Sequence, residues 1–229
     1  MNSEENKLNN PVWFSLIESH HPYSVDFGDV KCYHPDYCPF GGFTKLDSSE
    51  DALDEYSILA DNFFVVGDKP NYSNLLRFNK ELVCCQMLLR SPIQIEFKEE
   101  ITSLKAEHKA DLLQLVNLVQ PGYFRNNTPD LGNYYGIYKG NELVAVTGER
   151  MKMNAFTEVS AVVTHPDHTG KGYAKQLVAH TANQIFLANK IPYLHVAESN
   201  TGAIRLYEKL GFVIRRKISF WNFMVHKVL

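Results

Sequence analysis

Apolar residues along this chain recur at two different spacings, and the switches between them outline its elements. Pro11 to His20 predicts a short amphipathic helix, followed by a strand near Val30–Tyr33 and a turn-rich stretch from His34 to Gly42. Ser48-Ser49-Glu50 is a good cap for a helix running through Ile58. Asn62 to Val66 and Leu82 to Leu89 read as strands, the second also compatible with a buried helix. After Ser91-Pro92, Ile93, Ile95 and Phe97 alternate with polar residues as a strand should, and Ala106 to Val119 is a helix stopped by Pro121-Gly122. Tyr134 to Tyr138 and Glu142 to Thr147 flank Lys139-Gly140-Asn141, a predicted hairpin.

The most informative stretch comes next. The apolar run Val159 to Thr164 is broken by His165-Pro166-Asp167, and His168-Thr169-Gly170-Lys171-Gly172-Tyr173-Ala174 then opens a helix. Its apolar face is Ala174, Leu177, Val178, Thr181, Ile185 and Ala188. A strand that turns through glycines into a helix gathers free backbone N–H groups and the positive helix end around one point, which makes an anion cradle. A P-loop string G-x-x-x-x-G-K-[ST] is absent, and only Gly170 and Gly172 are present where a dinucleotide fingerprint needs three glycines. Downstream, Ile191 to Val196 predicts a short strand and Asn200 or Thr201 caps a short helix closed by Gly211. Val213-Ile214 and Ile218 to Phe223 predict two closing strands.

Two strings carry a family likeness: H-P-D-H-T-G-K-G-Y-A from His165, and N-T-G-A-I-R-L-Y-E-K-L-G-F from Asn200. In this order and at this separation they resemble the GNAT superfamily of acyl-CoA-dependent N-acetyltransferases. Leu131 to Ile137, Gly148 to Met151 and Thr157 to Ser160 are further similar to its glycine-N-acyltransferase-like branch. The likeness covers residues 95–229 well and residues 1–94 only loosely. It implies a mixed α/β fold, a GNAT acyl-CoA N-acyltransferase fold with a central, mostly antiparallel sheet and flanking helices. The expected division is an N-terminal α/β half over residues 1–92 and a GNAT domain over 93–229, with a degenerate GNAT-like first half sharing one sheet as an option.

The likeness also assigns roles. The amides of Gly170, Lys171, Gly172, Tyr173, Ala174 and Lys175 would hold the pyrophosphate of acetyl-CoA. Thr169 stands where the family carries Gln or Arg, which removes a side-chain contact and leaves the backbone cradle. A backbone amide in Val162, Val163 or Thr164 would polarise the thioester carbonyl. Asn200 and Tyr207 match in type and spacing an Asn and a Tyr that line the thiol end of the cofactor in relatives, and Tyr207 would protonate the departing thiolate. Two residues compete for the base. Glu158 shares a strand face with Ser160, Val162 and Thr164 by alternation, and amid apolar neighbours it needs either a partner or a raised pKa. His195, on the next strand, titrates near working pH unaided. Glu149 is a third acidic candidate, for orienting substrate or bracing Arg150. Each of these also has a plainer reading as a half-buried, satisfied polar or core residue.

Composition narrows the partners. In 229 residues, 45% are hydrophobic and the net charge is −3, so no broad basic face for nucleic acid is expected. No apolar run reaches membrane-spanning length, and Met1 to Asn10 is polar rather than signal-like, so a cytoplasmic protein with no membrane partner is expected. Cys32, Cys38, Cys84 and Cys85 are expected as reduced, buried thiols. Cys32 to Cys38 lacks the second ligand pair of a structural zinc, so no metal is expected. The acceptor surface falls to residues 1–94 and Pro121 to Asn133, where Asn126, Asn127, Thr128 and the aromatic-rich Tyr33 to Phe43 are candidates. The resemblance carried by the two motifs implies an N-acetyltransferase, expected here to act on the primary amine of a small substrate, as a monomer or homodimer. A non-catalytic acetyl-CoA-binding sensor and a protein lysine or N-terminal acetyltransferase are the alternatives.

Overall fold

Eleven strands join in one sheet in the computed structural model, which describes residues 4–226. The strands are β1 Ser24–Phe27, β2 Val30–Tyr33, β3 Phe40–Phe43, β4 Asn62–Val66, β5 Leu76–Leu88, β6 Thr102–Leu104, β7 Tyr134–Lys139, β8 Glu142–Lys152, β9 Phe156–Thr164, β10 Ile191–Ala197 and β11 Val213–Val225. The helices are α1 Pro11–Ile17, α2 Ser49–Ser57, α3 Lys109–Val119, α4 Tyr173–Leu187 and α5 Thr201–Lys209. The spatial order is β1-β2-β3-β4-β11-β5-β10-β9-β8-β7-β6. Only β3–β4 and β9–β10 run parallel among these neighbours, so the sheet is mixed and mostly antiparallel. The last strand, β11, inserts between β4 and β5. The first ninety-odd residues and the remainder therefore share one sheet rather than packing as separate layers.

Alternation along β5 sets the two cores. Cys84 and Leu88 join α1 residues Val12 and Leu16, with Phe40, Tyr193 and Phe220, on one face. Cys85, Met87 and Leu89 turn to the other, against Val178, Ala182 and Ile185 of α4 and Tyr207 of α5. That strict period of two resolves residues 82–88 as the second part of the strand β5, with Leu89 just beyond its end. Elsewhere, Asn10 caps α1 and Gly140, at φ +60°, turns the β7–β8 hairpin. Among the described residues, no helix is long and apolar enough to cross a membrane.

Two expectations change. Residues 93–97 form no strand. Their backbone is held by α4 side chains instead: Ile93 N–H donates to Asn183 Oδ1 at 2.8 Å and its carbonyl accepts from Asn183 Nδ2 at 2.9 Å, while Lys98 N–H donates to Gln176 Oε1 at 2.6 Å. The alternation of Ile93, Ile95 and Phe97 records one-sided packing on that helix, since Ile93 and Ile95 are packed there and Phe97 is exposed. The predicted pair of closing strands is one strand, β11, whose register with β5 slips between Ile214 and Arg216. Arg215 is the extra residue at that bulge.

His20 ties the first part of the chain to the second. It is 2% exposed. Its Nδ1 lies 2.8 Å from the Tyr33 hydroxyl and its Nε2 lies 2.9 Å from the Leu131 carbonyl oxygen. The carbonyl can only accept, so Nε2 carries the hydrogen and Nδ1 accepts from Tyr33. Burial pushes its pKa from 6.5 down to about 4, against the pull of the Leu131 hydrogen bond. Between those values the unfolded chain binds a proton that the folded chain refuses, so folding weakens as pH falls from 6.5 towards 4. His180, also lowered by burial, adds to the same limb. Denaturant unfolding followed across this range should show a smaller acid loss in His20→Gln than in the parent. An unchanged slope would remove His20 from the account.

Candidate active site

The parallel pair β9–β10 supplies the central feature. The two strands are paired only at Ile191↔Phe156, Pro192↔Thr157 and Tyr193↔Glu158, and beyond Glu158 they separate. β10 keeps its other neighbour β5 as far as Ala197, and β9 keeps β8 as far as Thr164. The edge of β9 that faces the gap therefore has backbone groups without a strand partner. A cleft of about 600 Å³ opens there. One wall is Val159, Ser160, Ala161 and Val162 of β9 with Ala174 of α4; the other is His195, Val196 and Ala197 of β10 with Asn200, Ala203, Leu206 and Tyr207.

A bulge in β9 re-aims this wall. Ala161 has φ +50°, a left-handed conformation that L residues adopt at a cost of about 1–3 kcal/mol. There the register with β8 slips, Val146 pairing with Val163 but Gly148 with Ser160. The slip breaks the simple alternation that placed Glu158, Ser160, Val162 and Thr164 on one face. Val162 lines the cleft, Val163 is buried with Leu112, Leu115 and Val146 on the α3 side, and Thr164 is not among the cleft-lining residues.

The glycine turn has the geometry of a cradle. Gly170 and Gly172 have φ of +76° and +79°, and no side chain caps the N-terminus of the 15-residue α4. Its first-turn amides are unclaimed by the helix itself. Thr169 turns its hydroxyl back to the Pro166 carbonyl at 3.1 Å, and Lys171 Nζ lies 3.3 Å from His168 Nδ1. Tyr173 offers only backbone, because its ring is buried with Tyr135, Ile137, Val144 and Leu177. Lys175 is exposed on the first turn. The amides of residues 170–175 suit a pyrophosphate; the side chains add Lys171 and Lys175 as cations.

Across the cleft, Asn200 Oδ1 accepts from Ala203 N–H at 3.1 Å, so this residue both caps α5 and lines the opening. Tyr207, two turns on, is 6% exposed, and burial pushes its phenol up to about 12. It therefore carries its proton throughout the neutral range.

Glu158 lies at the point where the strands part, 1% exposed. Arg150 of β8 meets it with two bonds, Nε to Oε2 at 2.8 Å and Nη2 to Oε1 at 2.9 Å, and His195 Nδ1 lies 2.8 Å from Oε1. Of the two outcomes open to a carboxylate here, a partner or a raised pKa, the partner prevails. Burial alone would raise this carboxyl, but the Arg150 charge and the hydrogen bonds from His195 and Arg150 outweigh it and hold it at about 2. Arg150 is in turn held over the Phe40 ring, 4.7 Å from its centre. The other ring nitrogen of His195, Nε2, is also engaged, 3.0 Å from Gln86 Nε2.

Glu149 does not brace Arg150. Adjacent strand residues face opposite ways, and Glu149 instead pairs with Lys152 at 2.7 Å and accepts from Asn133 at 3.2 Å. Gln86 and Arg150 carry much of the site, and the sequence offered little to find them. Gln86 is one polar residue inside an apolar strand, a weak signal in hindsight. The remaining cleft wall is Phe40, Leu82, Cys84, Val119, Gln120, Pro121, Tyr123 and Phe220. Phe40 and Tyr123 fall inside the regions expected to build the acceptor side. Thr128 instead braces the fold, its hydroxyl donating to the Tyr37 carbonyl at 2.5 Å. All four cysteines are free and buried, and burial pushes the Cys84 thiol up to about 12, so it is neutral where it meets the cleft.

Residues 134–221, spanning the hairpin, the glycine turn and most of β11, match the family model described as FR47-like protein. The chain superposes over most of its length on a structure assigned to the GNAT family of acetyltransferases from Novosphingobium aromaticivorans. That superposition has TM-score 0.86 and 29% identity, covering 96% of this chain and 99% of that one. A GCN5-related N-acetyltransferase-like protein from Streptococcus suis (TM-score 0.65, 14% identity, 97% of each chain) shares the fold. So does a GCN5-related N-acetyltransferase from Kribbella flavida (TM-score 0.61, 14% identity, 93% and 95%). A 55-residue stretch is 42% identical to the spermidine N(1)-acetyltransferase of Vibrio cholerae, covering 23% of this chain and 31% of that protein. The match thus spans less than a third of that relative's length.

The architecture is therefore the GNAT acetyltransferase fold, with the mixed sheet and flanking helices that the sequence motifs implied. Its likeness to GNAT-family acetyltransferases rests on the match over residues 134–221 and on the superposition at 29% identity. The likeness to the glycine-N-acyltransferase-like branch stays a likeness.

Removing one member of a buried ion pair strands the other. Arg150→Met should cost about 3–5 kcal/mol of folding stability, whereas adding Glu158→Leu to it should recover part of that loss. Guanidinium denaturation of the two single variants and the double variant measures the cycle. Strictly additive losses would show that the pair is not coupled.

Proposed function

We propose that this protein transfers an acetyl group from acetyl-CoA to the primary amine of a small acceptor. The observation that carries the reading is the gap between β9 and β10, with an uncapped helix end at one side, Tyr207 at another and the ionised Glu158 at its root. Acetyl-CoA supplies a thioester carbonyl for attack and a thiolate leaving group. Gly170 to Lys175 hold its pyrophosphate through backbone amides, and the unpaired edge of β9 around Val162 polarises the thioester carbonyl, with strain at Ala161 fixing where that edge points.

Glu158 receives the amine. Its Oε1 accepts from Arg150 and His195, while among the described residues Oε2 accepts from Arg150 Nε alone, which leaves Oε2 a lone pair for an incoming N–H. The amine nitrogen bonds to the carbonyl carbon, becomes acidic on attack, and releases a proton through a water beside Glu158, because a carboxylate with its pKa held at about 2 orients the N–H but is too weak a base to keep the proton. The C–S bond then breaks and Tyr207 donates its hydroxyl proton to the thiolate. The products are an acetamide and free thiol, and proton exchange through solvent restores Tyr207. His195, with both ring nitrogens engaged, acts here by positioning Glu158 rather than by meeting the amine.

The lining also bears on the acceptor. Among the described residues Glu158 is the one carboxylate on the cleft wall and Arg150 already balances it, while Phe40, Leu82, Tyr123 and Phe220 supply apolar surface. A single amine on an apolar body suits this wall; a polycation would bring charges with no partner there. The spermidine specificity of the Vibrio cholerae relative therefore does not transfer.

Thiol release from acetyl-CoA with a panel of amines tests the reading. An aryl-alkyl monoamine should be acetylated with higher kcat/KM than spermidine, with the rate rising along the acceptor's own ionisation, because Glu158 stays charged to about pH 2. Tyr207→Phe and Glu158→Gln should each lower kcat by about 10²-fold or more while Tyr207→Phe keeps acetyl-CoA affinity. Tight acetyl-CoA binding with no thiol release to any small amine would overturn the reading in favour of a sensor, and turnover only with a protein lysine or N-terminus would make it a protein acetyltransferase.

A further inference from the structure

Glu158, His195, Gln86 and Arg215 stand on four neighbouring strands, β9, β10, β5 and β11, and are joined by hydrogen bonds across the sheet. His195 and Gln86 are direct partners in the β10–β5 ladder. Gln86 is fully buried. Its orientation is set by two contacts of opposite kind. Arg215 Nη1, which can only donate, lies 2.9 Å from Oε1, and the Leu8 carbonyl, which can only accept, lies 2.8 Å from Nε2. The amide is therefore fixed with its NH₂ toward His195. Arg215 reaches this position because it is the bulged residue of β11, and Asn9 and Glu5 hold its guanidinium with contacts of 2.9 Å to Asn9 Oδ1 and 3.1 Å to the Glu5 carbonyl.

The consequence runs to the cleft. The Gln86 NH₂ donates to His195 Nε2, so that nitrogen carries no hydrogen, and the single imidazole hydrogen lies on Nδ1, aimed at Glu158 Oε1. We infer that Gln86, oriented by Arg215, is a positioning residue that locks His195 as its neutral Nδ1–H form and so keeps Glu158 fixed and ionised for the incoming amine. The inference rests on the proposed role of Glu158 for its catalytic meaning but not for its chemistry. Protonating His195 at Nε2 would set two donors against each other 3.0 Å apart, with no room in this buried row to turn the amide without also losing Arg215 and Leu8. The charged and titratable groups around His195 are Glu158 and Arg150 on the β8–β9 side and Arg215 with Glu5 beyond Gln86. The Tyr193 and Phe220 rings pack edge-on at 5.5 and 5.3 Å.

Two variants of the full chain test the lock. Gln86→Leu removes the donor without adding a charge, and Gln86→Glu replaces it with an acceptor that demands a hydrogen on Nε2. Nitrogen-15 NMR of labelled histidine in the parent should give His195 a protonated Nδ1 and an unprotonated Nε2. Gln86→Leu should release this choice and give a mixture of Nδ1–H and Nε2–H forms, and Gln86→Glu should protonate Nε2. Both should lower kcat by about ten-fold, the scale seen when outer hydrogen-bond partners are removed, together with a change of tautomer that a merely loosened fold would not create. An Nε2–H form or an imidazolium in the parent overturns the lock, as does a Gln86→Leu variant that keeps the parent's tautomer. The NMR result is independent of turnover, so a parent that shows the locked tautomer but acetylates nothing overturns the catalytic reading and leaves the lock standing.

Discussion

Everything at the root of the cleft depends on keeping one carboxylate charged where almost no water reaches it. Glu158 is nearly inaccessible, and an isolated ion there would neutralise itself by taking up a proton. The bidentate contact from Arg150, backed by the His195 N–H, reverses that tendency. The arrangement costs desolvation of both ions, which is why burying such a pair adds little stability by itself while breaking it is costly. Its value lies in placement. The pair spans β8 and β9 and meets β10 just where β9 and β10 stop pairing, so the charge sits at the vertex of the gap.

The gap itself follows from strand bookkeeping. β10 is drawn toward β5 and β9 toward β8, and the bulge at Ala161 turns the free edge of β9 into the opening. α4 follows β9 and α5 follows β10, so the two strands deliver Ala174 in the first turn of α4 and Tyr207 of α5 to opposite sides of the same space. The first part of the chain is not an appendage to this. It supplies Phe40 and Cys84 to the wall, Gln86 to the polar row, and Glu5, Leu8 and Asn9 to its far end.

The second half of the fold was legible because its signals are local. Glycines at 170 and 172 are required by positive φ, Asn200 caps the helix it precedes, and Gly211 closes that helix at φ +94°. The cleft residues Glu158, His195, Tyr207, Asn200, Val162 and Ala174 follow from that frame. What escaped was decided by neighbours distant in sequence. The alternation at Ile93 to Phe97 looks like a strand but answers to Asn183 and Gln176 on α4. The bulges at Ala161 and Arg215 have no glycine or proline to announce them, yet each redirects the side chains that follow. The low pKa of Glu158 required knowing that Arg150, rather than Glu149, shares its face, and a period-two pattern interrupted by bulges does not reveal that.

In the proposed reaction, the separation of β9 and β10 places a thioester between Glu158 and Tyr207. A crystal structure of the protein with acetyl-CoA tests it most directly. The pyrophosphate is expected within hydrogen-bonding distance of the amides of Gly170 to Lys175, and the thioester inside the gap, with its sulfur toward the Tyr207 hydroxyl and its carbonyl carbon facing Glu158. A pyrophosphate bound away from that turn, or a thioester outside the gap and beyond the reach of Tyr207, would contradict it.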